Sequence, residues 1–237
     1  MCQYHLIHLI RTPGDSFVPV GAIHERLSGS IGSIEVMIEA DVTAGMTSPT
    51  VTAVPGSLRD ESYTRVAARY ALEAAAERGA QTRLVDLRAY DLPVYDANAD
   101  DAGDAEQLRE RVRAADAVIL GTPMYHGSYA TPLKNALDYC GFDEFENTTV
   151  GLLAVAGGGF PITALDHLRS VCRSLNAWVL PHQAAVPRAS GEFEDGEFVD
   201  PDTAERVAVL GRRAVEYATI EPDPACFESG QNVGAGD

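Results

Sequence analysis

Residues 150–180 read Val150-Gly-Leu-Leu-Ala-Val155, then Ala156-Gly-Gly-Gly-Phe-Pro161, then Ile162–Leu175 with a helical pattern, then Trp178-Val-Leu180. The first run is apolar without polar alternation, so a strand here is buried on both faces, as in a parallel sheet covered by helices. The glycines free the backbone after it, and Pro161 suits the first turn of a helix. A second apolar strand begins at Trp178, which completes a strand–helix–strand unit.

The same alternation extends on both sides. Val51–Val54 is a short apolar strand that runs through a Gly-Ser turn into Ser62–Arg78, where Val66, Ala67, Tyr70, Ala71, Ala74 and Ala75 keep helical spacing. Thr82–Leu87 reads as a second strand, Asp104–Ala114 as an acidic helix, Ala117–Leu120 as a third strand and Ala130–Tyr139 as a helix. Pro201–Ala218 reads as the last helix. This pattern predicts an α/β fold, a doubly wound five-stranded parallel sheet in the order 2-1-3-4-5 with helices on both faces. Ligands of such sheets lie beyond the carboxyl ends of the strands, so the loops after strands 1, 3 and 4 are where function is expected.

Composition narrows the function classes. The 237 residues are 46% hydrophobic and 22% charged, with 18 Lys plus Arg against 35 Asp plus Glu and a formal net charge of −17. A nucleic-acid binder needs a basic face, and docking on an anionic membrane has the same need, so neither partner is expected. There is no apolar run of about 18 residues, the length of a membrane-spanning helix. Lys134 is the only lysine. An acidic surface almost without lysine resembles proteins of salt-loving microbes, where salt screens the self-repulsion of the charge. A GC-rich genome also favours Arg over Lys. Cys2, Cys140, Cys172 and Cys226 form no CxxC pair and no zinc-type cluster, so inert thiols and no metal are expected. The N-terminus lacks the features of a signal peptide, which points to the cytoplasm.

Composition changes near Met46. Residues 1–45 hold six of the nine isoleucines, and Met46-Thr-Ser-Pro then precedes the first strand. We expect Met46 to be the true start, with residues 1–45 a non-native or disordered extension; a genuine N-terminal arm is the alternative. The functional domain is expected over residues 46–220. Beyond it, Glu221-Pro-Asp-Pro breaks the last helix, and residues 221–237 read as a disordered tail.

Three loops carry the chemistry. After strand 1, Gly56-Ser-Leu-Arg-Asp-Glu-Ser-Tyr-Thr64 opens into a helix, whose free N–H groups make an anion site. Ser57, Ser62 and Thr64 add hydroxyls, and Arg59 adds a fork suited to phosphate. The loop is neither GxxxxGK[ST] nor GxGxxG. Alternatively, Ser62 simply caps the helix and Arg59 is solvated. After strand 3, Gly121-Thr-Pro-Met-Tyr-His-Gly-Ser128 offers Tyr125 as a flat face for a planar ring, although a tyrosine packed under its own helix fits as well. After strand 4, Gly157-Gly-Gly159 allows a flat ligand to approach the backbone closely. An anion cradle, an aromatic-bearing loop and a glycine wall on one rim favour a binding site over three plain turns.

Gly56-Ser-Leu-Arg59 with Ser62-Tyr-Thr64 resembles the flavin-phosphate loop of the NADPH-dependent FMN reductase family. Thr122-Pro-Met-Tyr-His-Gly-Ser-Tyr129 with Leu133-Lys-Asn-Ala-Leu-Asp138 resembles its second flavin loop and the following helix, and Gly157–Gly159 through Pro181 its third loop, helix and strand. Many members carry Pro-Glu-Tyr-Asn where this chain has Pro123-Met-Tyr-His126, which weakens assignment to the quinone or chromate subgroup. The resemblance covers about Thr50 to Tyr217. It implies a flavodoxin-like fold, with FMN as cofactor and NADPH or NADH as co-substrate. The implied activity is electron transfer from NAD(P)H through FMN to a flavin, quinone or similar small-molecule acceptor. By resemblance, Ser57, Arg59, Ser62 and Thr64 contact the FMN phosphate, Pro123, Met124, Tyr125, His126 and Gly127 line the ribityl chain and ring, and Gly157, Gly158 and Gly159 border the isoalloxazine. No protein acid or base is assigned. A homodimer or homotetramer is implied, with the flavin site near a subunit interface. An electron-carrier flavodoxin and a non-enzymatic FMN-binding regulatory module are the alternatives.

Overall fold

A computed structural model describes residues 48–99 and 102–219. The expected extension 1–45, the start at Met46 and the tail 221–237 lie outside the described residues. Within them, strands β1 (Thr50–Pro55), β2 (Gln81–Leu84), β3 (Ala117–Pro123), β4 (Thr149–Val155) and β5 (Trp178–Val186) form one sheet in the order β2-β1-β3-β4-β5. Every pairing in it is parallel. The expected architecture is the observed one.

Alternation along the central strands divides the core in two. Val118 and Leu120 of β3, with Val150, Leu152 and Ala154 of β4, face one side. There they meet α2 (Ala105–Arg113), α3 (Thr131–Asp138), the short α4 (Phe142–Phe145) and α5 (Ile162–Ser174). Ala117 and Ile119 of β3 and Leu153 and Val155 of β4 face the other side, against α1 (Tyr63–Ala76) and α6 (Pro201–Glu216). Successive side chains of a strand point to opposite faces, so an unbroken apolar run serves two cores at once. α1 and α6 pack almost backbone to backbone: a Cβ on Gly211 would stand 1.9 Å from the Ala71 carbonyl oxygen.

Four local differences from the sequence reading have physical causes. β2 ends at Leu84 rather than Leu87, because the Asp86 carboxylate accepts the Arg88 N–H (3.2 Å) and turns Leu87–Ala89 into a 3₁₀ helix. β3 continues through Gly121, Thr122 and Pro123, residues expected in the loop, since Pro123 still pairs with Val155. β5 continues past Pro181, which falls at a shift of register between β4 and β5, the kind of irregularity that tolerates a proline. A hairpin of β6 (Phe193–Glu194) and β7 (Glu197–Phe198) was not anticipated; its turn, Asp195-Gly196, has positive φ at both residues.

Candidate active site

The site begins at the carboxyl end of β1. Gly56 N–H donates to Gly121 O (2.7 Å), which ties the first loop to β3, and a Cβ on Gly56 would stand only 2.5 Å from Leu133 Cβ of α3. Ser62 then caps α1, its hydroxyl accepting from Arg65 N–H (3.2 Å). Ser57 Oγ accepts from Arg59 N–H (3.4 Å). Each hydroxyl therefore spends a lone pair on the loop and keeps its hydrogen to donate. The first N–H groups of α1 have no partner within the helix, and its first turn carries no acidic side chain. The guanidinium of Arg59 makes no ion pair among the described residues. Together these form a cluster of donors with one guanidinium, suited to a phosphate, beside which the Glu61 carboxylate also lines the cavity.

The second loop is pinned at both ends. Buried Thr122 accepts the Ala130 N–H at its hydroxyl (2.9 Å), and Met124 N–H donates to Val155 O (2.7 Å). Tyr125 and Ser128 exchange backbone hydrogen bonds of 3.1 Å around His126 (φ 51°) and Gly127 (φ 81°). Positive φ at both central residues makes this a tight primed turn, and histidine, like asparagine, is among the few side chains enriched in that conformation. The turn thus accounts for a histidine at position 126. Its tip leaves the Tyr125 ring half exposed.

The third loop needs no glycine for its own sake. Gly157, Gly158 and Gly159 have no positive φ, and a Cβ on any of them would meet nothing within 4 Å. The loop is held instead by the segment after β5, where Arg188 N–H donates to Gly158 O (2.7 Å) and Ala189 N–H to Ala156 O (2.9 Å).

These loops enclose a cavity of about 220 Å³. Of the predicted residues, Ser57, Arg59, Ser62, Thr64, Pro123, Met124, Tyr125 and Gly157 line it. His126 and Gly127 lie on the turn, and Gly158 and Gly159 lie farther along the third loop; none of the four is in the lining. Glu61, Tyr63, Val155, Ala156, Ala189 and Ser190 complete it. Ala189 and Ser190 are not among the predicted residues because the sequence marks only the beginning of the strand before them, Trp178–Leu180. The rule that ligands gather at the carboxyl ends of strands would have reached them once that strand was followed to Val186. Lys134 and Asp138 pair with each other on α3, outside the lining. Burial pushes the thiols of Cys140 and Cys172 up to about 12, so both are protonated at neutral pH. Cys2 and Cys226 lie outside the described residues.

The family model of NADPH-dependent FMN reductases matches residues 49–191, which contain all three loops and five strands. The chain belongs to this family. An FMN-dependent NADPH-azoreductase of Staphylococcus aureus is 35% identical over 150 residues, covering 60% of this chain and 80% of its own. Among solved structures, an NADH:FMN oxidoreductase superposes with a TM-score of 0.61 at 24% identity, covering 74% of this chain and 92% of its own. The NAD(P)H:(acceptor) oxidoreductase FerB of Paracoccus denitrificans does so with 0.60 at 23% identity, covering 72% and 97%. At these identities the two structures support the shared flavodoxin-like fold. Helix α6 lies beyond the span of the family match and closes the second core.

Proposed function

We propose that this FMN reductase family member is an NAD(P)H-dependent flavin oxidoreductase that binds FMN in the cavity between its three loops. The observation that carries the reading is the pairing of an anion cradle with a glycine wall that the chain itself does not require. The donor set fits the group: Arg59, the start of α1 and the Ser57, Ser62 and Thr64 hydroxyls take the phosphate, while Tyr125 and Gly157 offer a flat face and an open wall to the ring. Bound FMN supplies the capacity to accept two electrons from NAD(P)H and pass them to a second acceptor. The protein contributes orientation, and through its backbone and hydroxyl donors it stabilises negative charge on the ligand. A small-molecule acceptor, whether flavin, quinone or azo compound, reaches the ring over the exposed Tyr125 side. The test is NADPH oxidation by the FMN-loaded protein with each acceptor class in turn. Turnover with at least one supports the reading; tight FMN binding with no NAD(P)H oxidation makes the protein an electron carrier instead.

The remaining readings are proposals of the same kind. A homodimer or homotetramer is the assembly that the family resemblance implies, and light scattering in solution tests it. No described helix is long and apolar enough to cross a membrane, which is compatible with a cytoplasmic enzyme. The charge of −17 with a single lysine supports a halophilic source. A melting temperature that rises from dilute buffer to molar KCl is the expected result, and one that does not rise contradicts it.

A further inference from the structure

Arg59 lines the cavity, and an adjoining groove that shares Glu61, Ser62 and Tyr63 with it is lined also by Asp60, Arg65, Arg69 and Arg88. Arg65 projects from the first turn of α1, is nine-tenths buried and does not line the cavity. Its Nη2 donates to two successive loop carbonyls, those of Arg59 (3.0 Å) and Asp60. Its Nη1 stands 3.8 Å from Asp86 Oδ2, buried and without a hydrogen-bond partner. Arg88 joins the same network, holding Asp86 (2.6 Å) and the exposed Asp60 carboxylate (3.0 Å).

A buried guanidinium committed to two successive backbone carbonyls and one carboxylate does more than balance a charge. What it achieves is to fix two peptide planes of the loop. We propose that Arg65 is a positioning residue for the FMN phosphate, a role that rests on the FMN reading above. By holding the Arg59 and Asp60 carbonyls from behind, it turns the Arg59 side chain into the cavity. Arg88 complements it by pairing with the neighbouring Asp60 carboxylate, which lines the adjoining groove and not the cavity. The signal is absent from the three loop motifs because Arg65 reads as an ordinary helix residue.

The test compares FMN with riboflavin, which has the same ring and chain but no phosphate, by fluorescence titration of wild type, Arg65→Met and Arg88→Ala. Wild type is expected to bind FMN more tightly than riboflavin. Arg65→Met should weaken FMN by about 10-fold to 100-fold, the range for losing a charge-assisted hydrogen bond to the phosphate, and leave riboflavin unchanged. Arg88→Ala, at the exposed end of the network, should give a smaller loss of the same selective kind, and it stands as the deciding variant if Arg65→Met does not fold. Equal losses for both ligands would make Arg65 merely structural and overturn the proposal, as would unchanged FMN affinity. A wild type that binds riboflavin as tightly as FMN would instead overturn the phosphate reading on which the proposal rests.

Discussion

Replacing Gly157 with alanine separates what the fold needs from what the ligand needs. The added methyl would meet no protein atom within 4 Å, and Gly157 does not have a positive φ. In the FMN-free protein the change should therefore be neutral, or stabilising by up to about 0.4–1 kcal/mol through the lost freedom of the unfolded chain. That corresponds to a rise of at most about 2–4 °C for a domain of this size. The same methyl projects beside the cavity lining, where overpacking against a flat ligand costs about 1–3 kcal/mol, or about 5- to 150-fold in FMN affinity. Gly56→Ala is the counterpart. There the new Cβ would stand 2.5 Å from Leu133 Cβ, roughly 1 Å inside normal carbon–carbon contact. Leu133 is fully buried, and the Gly56 N–H is already committed to Gly121. The first loop and α3 must then part, so stability should fall by about 1–3 kcal/mol and FMN affinity with it. Thermal melts of FMN-free protein and fluorescence titrations with FMN measure both quantities. A Gly157→Ala protein that melts lower without FMN, or binds FMN as wild type does, would refute the reasoning.

Other substitutions probe the charge and packing terms. Arg59→Ala should weaken FMN by about 1.5–3 kcal/mol, the range for a charge-assisted hydrogen bond, with little change in riboflavin binding by titration. Gly211→Ala would drive a methyl to 1.9 Å from the Ala71 carbonyl. Even after the roughly 1 kcal/mol that alanine contributes to helix propensity, calorimetry should find it less stable by about 1–2 kcal/mol. Burial would raise the Glu144 carboxyl, but the Gly141 N–H (2.7 Å) and the Arg113 and Arg109 guanidinium groups outweigh it and hold the group below its ordinary value of 4.5. Because the folded value is depressed, Glu144 contributes stability above pH 4.5 that is lost as pH falls through the folded value. Glu144→Gln should therefore be less stable than wild type at neutral pH, with the gap narrowing in melts taken below pH 4.5.

The parts of this protein legible in its sequence are those with a local signature. The unbroken apolar runs of β3 and β4 revealed a sheet buried on both faces, and the Ser62 cap and Pro161 marked where helices begin. The Ser57–Thr64 loop could be read as an anion cradle because hydroxyls, an arginine and a helix start stand side by side in the chain. Less visible were features made by partners far apart. Pro181 concealed the rest of β5, since the shift against β4 that accommodates it belongs to the pairing and not to the strand. The hairpin at 193–198 is held by the stack of Phe193 on Tyr63 (5.1 Å) and the edge contact of Phe198 with Tyr70 (5.0 Å), across more than a hundred residues of chain. His126 stands at positive φ in a tight turn, a backbone requirement that only the pairing of Tyr125 with Ser128 reveals. The Arg65 network joins two loops and a 3₁₀ turn, and none of its members is distinctive alone.

The central claim is that the three loops bind FMN and that NAD(P)H reduces it there. Its most direct test is to titrate the full chain with FMN in high salt, remove unbound flavin, and record the visible absorbance before and after adding NADPH without oxygen. The account predicts a stoichiometric yellow complex whose flavin absorbance is bleached by NADPH and returns when an acceptor is added. Protein that stays colourless after FMN has been supplied would contradict it.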